Sequence, residues 1–134
     1  MEKIAFLLAI DPGREKCGLA VLSPTGEILF REIAPRPIMA EAVKKILTRY
    51  SVEKIVLGNG TGGQAAAEQI SALGVKIINF EEKHTSETAR TLYWQLNPPG
   101  GFKKFIPRGL LVPPEPFDDL AAVVIGRSFL NLKI

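Results

Sequence analysis

Three groups of carboxylate side chains, far apart in the chain, are the residues of this sequence best suited to chemistry. Asp11 follows a buried apolar run, Glu81 and Glu82 follow a later one, and Asp118 and Asp119 open the last predicted helix. Carboxylates that are brought together repel one another unless protons or cations neutralise them. Oxygen ligands of this kind favour hard ions such as Mg²⁺ or Mn²⁺. If the fold brings the three groups together, they predict a metal site.

Each acid also has a purely structural interpretation. An aspartate before Pro-Gly is typical of a turn, and an aspartate at the start of a helix is typical of a cap. The metal hypothesis therefore depends on the three groups meeting, because independent turns and caps have no reason to converge at one edge of one sheet.

The segment that follows Asp11 is suited to close approach and to phosphate binding. Gly13 and Gly18 allow a tight turn in which the backbone comes close to a ligand. Arg14 and Lys16 lie between the two glycines, where we expect them to contact phosphate groups. The structural alternative for this segment is an ordinary hairpin.

Two further segments are candidates for binding phosphate groups. The glycine-rich turn at residues 58–63 offers backbone amide groups at the start of a helix, a favourable place for an anion, or else is a plain strand-to-helix turn. The long proline-rich segment at residues 97–116 contains three basic residues, which we call the basic cluster: Lys103, Lys104 and Arg108. A connection of this length is typical of a functional or disordered segment, so we favour phosphate contacts over a merely solvated surface.

Four other side chains are better explained by structure than by chemistry. Cys17 flanks an apolar strand and is expected to be a small buried hydrophobe, while His84 is expected to be a solvated loop residue. Tyr93 and Trp94 fall on a predicted helix and are expected to pack in the core, with stacking on a nucleic-acid base as the alternative.

The elements that must position these residues follow from hydrophobic periodicity. The apolar run at residues 4–10 predicts a strand buried on both faces, and further strands are predicted at residues 18–22 and 27–33. The turn chemistry of residues 23–26 predicts a hairpin between the second and third strands. The short link between the first two strands predicts that they are antiparallel neighbours.

The second part of the chain alternates between helical and strand periodicity. The predicted elements are a helix at 39–50, a strand at 54–57, a helix at 64–73, a strand at 75–80, and helices at 85–96 and about 116–130. The complete order, β-β-β-α-β-α-β-α-α, predicts an α/β fold with a mixed five-stranded sheet and helices on both faces. Ligands of open α/β sheets bind at the carboxyl ends of strands, which is where the acids are expected.

The composition limits the classes of protein that remain. The 134 residues are enough for one domain, residues 1–134, and too few for two. With 46% hydrophobic and 23% charged residues, the chain has the profile of a globular protein, and no apolar run approaches the ~20 residues of a membrane span. A single cysteine predicts no internal disulfide and a reducing cytoplasm. The net charge of +3 permits a nucleic-acid partner.

Four segments carry recognisable sequence motifs. They are A-I-D-P-G at 9–13 followed by G-L-A-V at 18–21, I-V-L-G-N-G-T at 55–61, E-E-K-H-T-S at 81–86 and D-D-L-A-A at 118–122. Together they resemble the YqgF family, the RuvX-type Holliday junction resolvases that are also described as pre-16S ribosomal RNA nucleases. The Asp-Pro-Gly motif is similar to the RuvC resolvases too, and the second segment resembles the YqgF-like domain of the Tex transcription factors.

This resemblance implies a ribonuclease H-like fold and a metal-dependent nuclease acting on structured nucleic acid, either a Holliday junction or precursor 16S ribosomal RNA. Carried over by position, Asp11, Glu82 and Asp118 are the implied catalytic and metal-binding acids, with Asp119 as a further candidate ligand. Two Mg²⁺ or Mn²⁺ ions are implied, roughly 3.5–4 Å apart in sites of this kind.

The predicted phosphate-binding side chains are Arg14, Lys16 and the basic cluster, to which the resemblance adds Lys83. Lys83 stands where the family has an arginine, so it keeps the positive charge and loses the bidentate geometry toward phosphate. A homodimer with two-fold symmetry would suit a symmetric four-way junction.

Two other functions remain open at this point. The Asp-x-Gly segment resembles the phosphate loop of ATP-using proteins of the actin and sugar-kinase type, but those proteins use two such domains and this chain has room for one. The other is a non-catalytic nucleic-acid-binding module of the same fold, against which the presence of all three acids argues.

Overall fold

The computed structural model describes residues 5–58, 63–81, 85–98 and 118–130. The elements within these ranges follow the predicted order. The strands are β1 (Phe6–Asp11), β2 (Lys16–Leu22), β3 (Ile28–Pro35), β4 (Val52–Gly58) and β5 (Lys76–Phe80), and the helices are α1 (Met39–Arg49), α2 (Gly63–Ile70), α3 (Thr85–Leu96) and α4 (Asp118–Phe129).

The β2–β3 hairpin is longer than the sequence pattern predicts. The prediction began the second strand at residue 18 and ended the third at residue 33, but the two strands pair as far as Lys16 opposite Pro35. The continuation adds only two residues to each strand, and Cys17 and Ala34 are the only buried ones among them, so it adds little to the apolar pattern, whereas the register is held by backbone hydrogen bonds. Because Asp11, the last residue of β1, pairs with Gly18, the extension carries β2 and β3 two residues beyond the end of β1.

The second helix is shorter than predicted. The sequence pattern runs over residues 64–73, whereas α2 ends at Ile70 and a turn of 3₁₀ helix follows over Ser71–Leu73. Gly74 closes this turn with φ of 77°, a left-handed conformation that glycine adopts without steric cost.

The five strands form one mixed sheet in the order β3-β2-β1-β4-β5. The first two strands are antiparallel neighbours and the second and third form a hairpin, as predicted. The pairs β1–β4 and β4–β5 are parallel. The predicted α/β fold with a mixed five-stranded sheet is therefore confirmed.

Helices cover both faces of the sheet, and each face therefore has its own hydrophobic core. Helices α1 and α2 pack on one face with Leu8 and Ile10 of β1, while α3 and α4 pack on the other with Leu7 and Ala9. Side chains alternate between the two faces along a strand, so Asp11 belongs to the same face as Leu7 and Ala9. The acid at the end of β1 therefore lies on the side of α3 and α4.

Helix α4 is almost completely enclosed between the sheet and α3. Every residue from Leu120 to Gly126 is buried, in keeping with a helix that is apolar on all sides. Small residues line its contact with the sheet, since a Cβ atom at Gly126 would come within 3.1 Å of the Cβ of Ala9. The helix therefore lies close against β1 and β2.

Within the described ranges, no helix combines the length and the apolar character that a membrane crossing requires.

Candidate active site

Asp11 is the last residue of β1, the central strand of the sheet. The buried run Leu7–Ile10 fixes the strand, and Pro12 ends it because proline cannot donate a ladder hydrogen bond. Asp11 is paired across the sheet with Gly18 of β2. The structure confirms that this acid lies at the carboxyl end of a buried strand.

Gly18 brings the second acid to the first. A Cβ atom on Gly18 would overlap the backbone carbonyl of Asp118 and approach the amide nitrogen of Asp119 to 2.9 Å. Only glycine leaves room for the first turn of α4 at this position, directly opposite Asp11 in the sheet. The sequence predicted a close approach of a ligand here, whereas the close neighbour in the structure is the helix backbone.

The electrostatics of the site centre on the pair Asp11 and Asp118. Burial at the carboxyl end of β1, and to a smaller extent the negative charge of Asp118, raise the pKa of Asp11 from 3.8 to about 6. The Nζ atom of Lys16 lies 3.3 Å from Oδ2 of Asp118 and supplies the nearest positive charge. The Lys16 side chain is 48% exposed, so this ion pair contributes only about 0–1 kcal/mol.

The neighbouring Asp119 has different partners. Its Oδ1 accepts a hydrogen bond from the backbone N–H of Leu120 at 2.9 Å, and its Oδ2 lies 3.8 Å from the guanidinium of Arg31 on β3. These contacts tie the start of α4 to the edge of the sheet. The structure thus places Asp118, and not Asp119, beside Asp11.

An open cleft of about 520 Å³ lies in front of the two acids. Two of the predicted phosphate-binding residues, Arg14 and Lys16, line it, and both are exposed. Its complete lining is Asp11, Pro12, Gly13, Arg14, Glu15, Lys16 and Asp118. The cleft therefore has two partly buried carboxylates, Asp11 and Asp118, at its base and three exposed charged residues, Arg14, Glu15 and Lys16, at its mouth.

Several predicted site residues lie outside the described ranges. They are Glu82, Lys83, His84 and the basic cluster, together with most of the glycine-rich turn at residues 58–63. Glu81 is described and exposed, directly after β5. Among the described residues no group of three potential metal ligands occurs, and the roles assigned to Asp11, Glu82, Asp118 and Asp119 as metal ligands stay predictions.

Three of the four side chains expected to be structural are packed in the two cores, and the fourth, His84, lies outside the described residues. Cys17 is fully buried between β2 and the α1 face, and Tyr93 and Trp94 are buried in the core around α3 and α4. Their rings contact each other edge-on, with centroids 5.1 Å apart. Packing, and not base stacking, is therefore the arrangement in this structure.

Sequence reasoning missed some residues that shape the site. Glu15 lines the cleft, Arg31 faces Asp119, and the guanidinium of Arg36 donates a hydrogen bond to the carbonyl oxygen of Gly13. The sequence could have indicated Glu15, because it lies between Arg14 and Lys16, the two basic residues predicted to contact phosphate. The contacts of Arg31 and Arg36 join distant parts of the chain, and no local pattern indicates them.

Comparison with solved structures identifies the fold. The chain is similar to RuvC of Thermus thermophilus, with a TM-score of 0.54, 16% sequence identity, and coverage of 90% of this chain and 89% of that one. It is also similar to T. thermophilus RuvC in complex with a Holliday junction substrate, with a TM-score of 0.61, 13% identity and 95% coverage of both chains.

Sequence comparisons cover less of the chain. A segment is 39% identical over 72 residues to the uncharacterized protein YdcI of Bacillus subtilis, which is 48% of this chain and 10% of that protein. A segment of 61 residues is 34% identical to the S1 RNA-binding domain-containing protein 1 of Homo sapiens and to that of Pongo abelii. This segment is 41% of this chain and 6% of each relative. The matched segments thus span a tenth or less of these curated relatives.

No protein-family model matches the chain. The likeness to RuvC extends over nearly the whole chain at low identity, so it establishes the architecture and leaves the chemistry to the site itself. The chain has a RuvC-like, ribonuclease H-like fold.

Proposed function

We propose that this chain is a metal-dependent nuclease that hydrolyses phosphodiester bonds of structured nucleic acid. The observation that carries the proposal is the pair Asp11 and Asp118 at the base of an open cleft, where burial and mutual repulsion raise the pKa of Asp11 to about 6. Strongly perturbed carboxyl groups in a cleft are typical of functional sites.

The donor atoms in the cleft fit a hard divalent cation. Asp11 and Asp118 offer carboxylate oxygens only, which suits Mg²⁺ or Mn²⁺, and a cation between them would relieve the repulsion that raises the pKa of Asp11. We assign Asp11, Asp118 and Glu82 as the ligands of two ions. Asp119 is a weaker candidate, because its oxygens face the Leu120 amide and Arg31. When bound, the metal would supply an activated water and neutralise charge at the scissile phosphate.

The basic side chains of the cleft would bind and orient the substrate. Arg14 and Lys16 lie at its mouth, within the same lining as Asp11, and we assign them to the phosphates that flank the cleaved bond. Lys83 and the basic cluster would extend this contact along the nucleic acid. The ion pair between Lys16 and Asp118 would open as the substrate and the cation enter.

Two substrates are consistent with the proposal. Branched DNA is supported by the fold shared with RuvC, which has been solved with a Holliday junction substrate. Precursor ribosomal RNA is supported by the resemblance to the YqgF family, in which we place the chain, and RNA in general by the name of the human relative. A homodimer acting in the cytoplasm would suit the symmetric junction.

A non-catalytic role in nucleic-acid binding is the second candidate. The observation that favours it is the small share of the curated relatives that the match covers, 10% and 6%, which is the proportion of one module in a larger protein. In that case the cleft would bind nucleic acid without cleaving it.

Cleavage and binding assays separate these functions. Labelled four-way junction, duplex DNA and precursor ribosomal RNA are incubated with the protein and Mg²⁺, Mn²⁺ or EDTA, and ATP hydrolysis is measured in parallel. We expect metal-dependent cleavage that Asp11→Asn abolishes while binding persists, with Glu53→Gln, an exposed carboxylate on β4, as the matched control. Metal-independent binding without cleavage would favour the binding module, and full turnover by Asp11→Asn would contradict the metal site.

A further inference from the structure

Arg36 holds the turn that carries the basic residues of the cleft. This turn, residues 12–15, joins β1 to β2, and we call it the site loop. The backbone N–H of Arg36 donates to the carbonyl of Glu15 at 2.8 Å, and its guanidinium donates through Nη1 to the carbonyl of Gly13 at 2.5 Å. One residue thus binds two of the loop's carbonyl groups.

Gln69 of α2 fixes Arg36 in turn. The Oε1 atom of Gln69 accepts a hydrogen bond from Nε of Arg36 at 3.0 Å, and its Nε2 donates to the backbone carbonyl of Arg36 at 3.1 Å. The guanidinium is planar, so binding at Nε and at Nη1 together sets its orientation. The site loop is therefore connected through Arg36 to a helix on the opposite face of the sheet from α4.

We propose that Arg36, held by Gln69, is a positioning residue that sets where Arg14 and Lys16 lie at the mouth of the cleft. The two contacts of Arg36 fall on Gly13 and Glu15, the residues on either side of Arg14. Glu15 leads directly into Lys16, the first residue of β2. The functional half of this inference rests on the proposed function, whereas the ordering of the loop does not.

A matched arginine exists at the other end of the sheet. Nε of Arg127 donates to the carbonyl of Gly26 at 3.0 Å and holds the β2–β3 hairpin turn in the same way. Gly26 lies beyond Leu22, the end of β2 remote from the site. Arg127→Ala therefore removes the same charge and the same type of glycine contact without touching the site loop.

Hydrogen exchange tests whether Arg36 orders the loop. Exchange of peptides covering residues 12–16 is followed by mass spectrometry in wild type, Arg36→Ala, Gln69→Ala, the double variant and Arg127→Ala. We expect Arg36→Ala to speed exchange there about tenfold, the effect of one lost hydrogen bond to a charged donor. Gln69→Ala should act in the same direction, and the double variant should add little, because Gln69 acts through Arg36. Unchanged exchange in both single variants would overturn the proposal.

Nucleic-acid binding tests the functional half. The dissociation constant is measured against salt concentration for the same variants, since each lost phosphate contact lowers the slope by about 0.9 on duplex DNA. Gln69→Ala is the decisive variant because it changes no charge, so a smaller slope in it can only reflect displaced basic residues. We expect a reduced slope for Gln69→Ala and Arg36→Ala and a wild-type slope for Arg127→Ala.

The outcomes separate the two proposals. Faster exchange with an unchanged slope would overturn the functional half of the inference and leave the proposed function intact. If the wild-type protein binds and cleaves none of the substrates, the proposed function fails, while the exchange measurement still decides whether Arg36 orders the loop.

Discussion

Asp11→Asn should make the protein more stable at neutral pH while it removes the proposed activity. In the folded state the pKa of Asp11 is raised from 3.8 to about 6, chiefly by burial and then by Asp118. At 1.36 kcal/mol per pKa unit, ionised Asp11 disfavours the folded state by about 3 kcal/mol. Asparagine has the same shape and no charge, so it removes this cost. The carboxyl lies in an open cleft, which makes the figure an upper bound.

The sign of the pH dependence follows from which state binds the proton more tightly. Folded Asp11 retains its proton to higher pH than the unfolded chain, so in wild type the free energy of unfolding falls as pH rises from about 3.8 to about 6. Below this window both states are protonated, and Asp11→Asn should match wild type. Above it, the variant should be more stable by up to about 3 kcal/mol.

Urea unfolding in EDTA measures this difference, with the single tryptophan, buried Trp94, as the fluorescent reporter. The measurement is repeated from below pH 3.8 to well above pH 6, and Glu53→Gln, an exposed carboxylate at the far end of the sheet, is the control. Equal stability of Asp11→Asn and wild type across the whole range would refute the electrostatic reasoning. Saturating Mg²⁺, at about 100 times its dissociation constant, should stabilise wild type by about 2.7 kcal/mol and the variant by much less.

Three further predictions concern the position of the acids and the binding of substrate. Gly18→Ala should lower cleavage by about 100-fold, because the new Cβ meets the backbone of Asp118 and displaces its carboxylate. A Cβ at Gly126 meets the end of the Leu22 side chain and the Cβ of Ala9 at 3.1 Å, remote from the acids, so Gly126→Ala should retain activity even where it lowers stability. Steady-state cleavage rates check this, and equal losses would contradict it. Asp118→Asn should lower the cleavage rate at least about 100-fold and Asp119→Asn less than tenfold, since of the two aspartates only Asp118 faces Asp11. A larger loss in Asp119→Asn than in Asp118→Asn would show that the wrong aspartate is assigned to the metal. Alanine at all three positions of the basic cluster should weaken nucleic-acid binding and lower the slope of log K against log salt concentration by up to about 2.7. Titrations at several salt concentrations measure this slope, and an unchanged slope would show that the basic cluster is a solvated surface without phosphate contacts.

Most of the fold could be predicted from local pattern. The order of elements along the chain, three strands followed by alternating helices and strands, could be predicted from apolar residues that recur with a period of two or 3.6. Element ends were less predictable, as in β2, where backbone pairing continues past Gly18 to Lys16 and Cys17 is the only buried side chain that the extension adds to this strand. Periodicity reports burial of side chains, and backbone hydrogen bonds leave no comparable trace in the sequence.

Part of the site could also be predicted. Asp11 follows Ile10 at the end of a buried strand, and its parity with Leu7 and Ala9 determines the face on which it lies. These are properties of a single strand, so the sequence alone determines them. Glycine at position 18 was recognised as a point of close approach, although not what would approach it.

Tertiary structure alone decided which residues meet. Asp118 reaches Asp11 because Gly18 leaves room for the first turn of α4, and Asp119 is turned toward Arg31 by the direction in which that helix enters. Arg36 holds the site loop because β3 ends opposite Lys16, at the end of that loop, and Gln69 binds Arg36 from α2. Local sequence sets the type and the face of each element, whereas contacts between residues distant in the chain depend on the packing of whole elements, which no local pattern encodes.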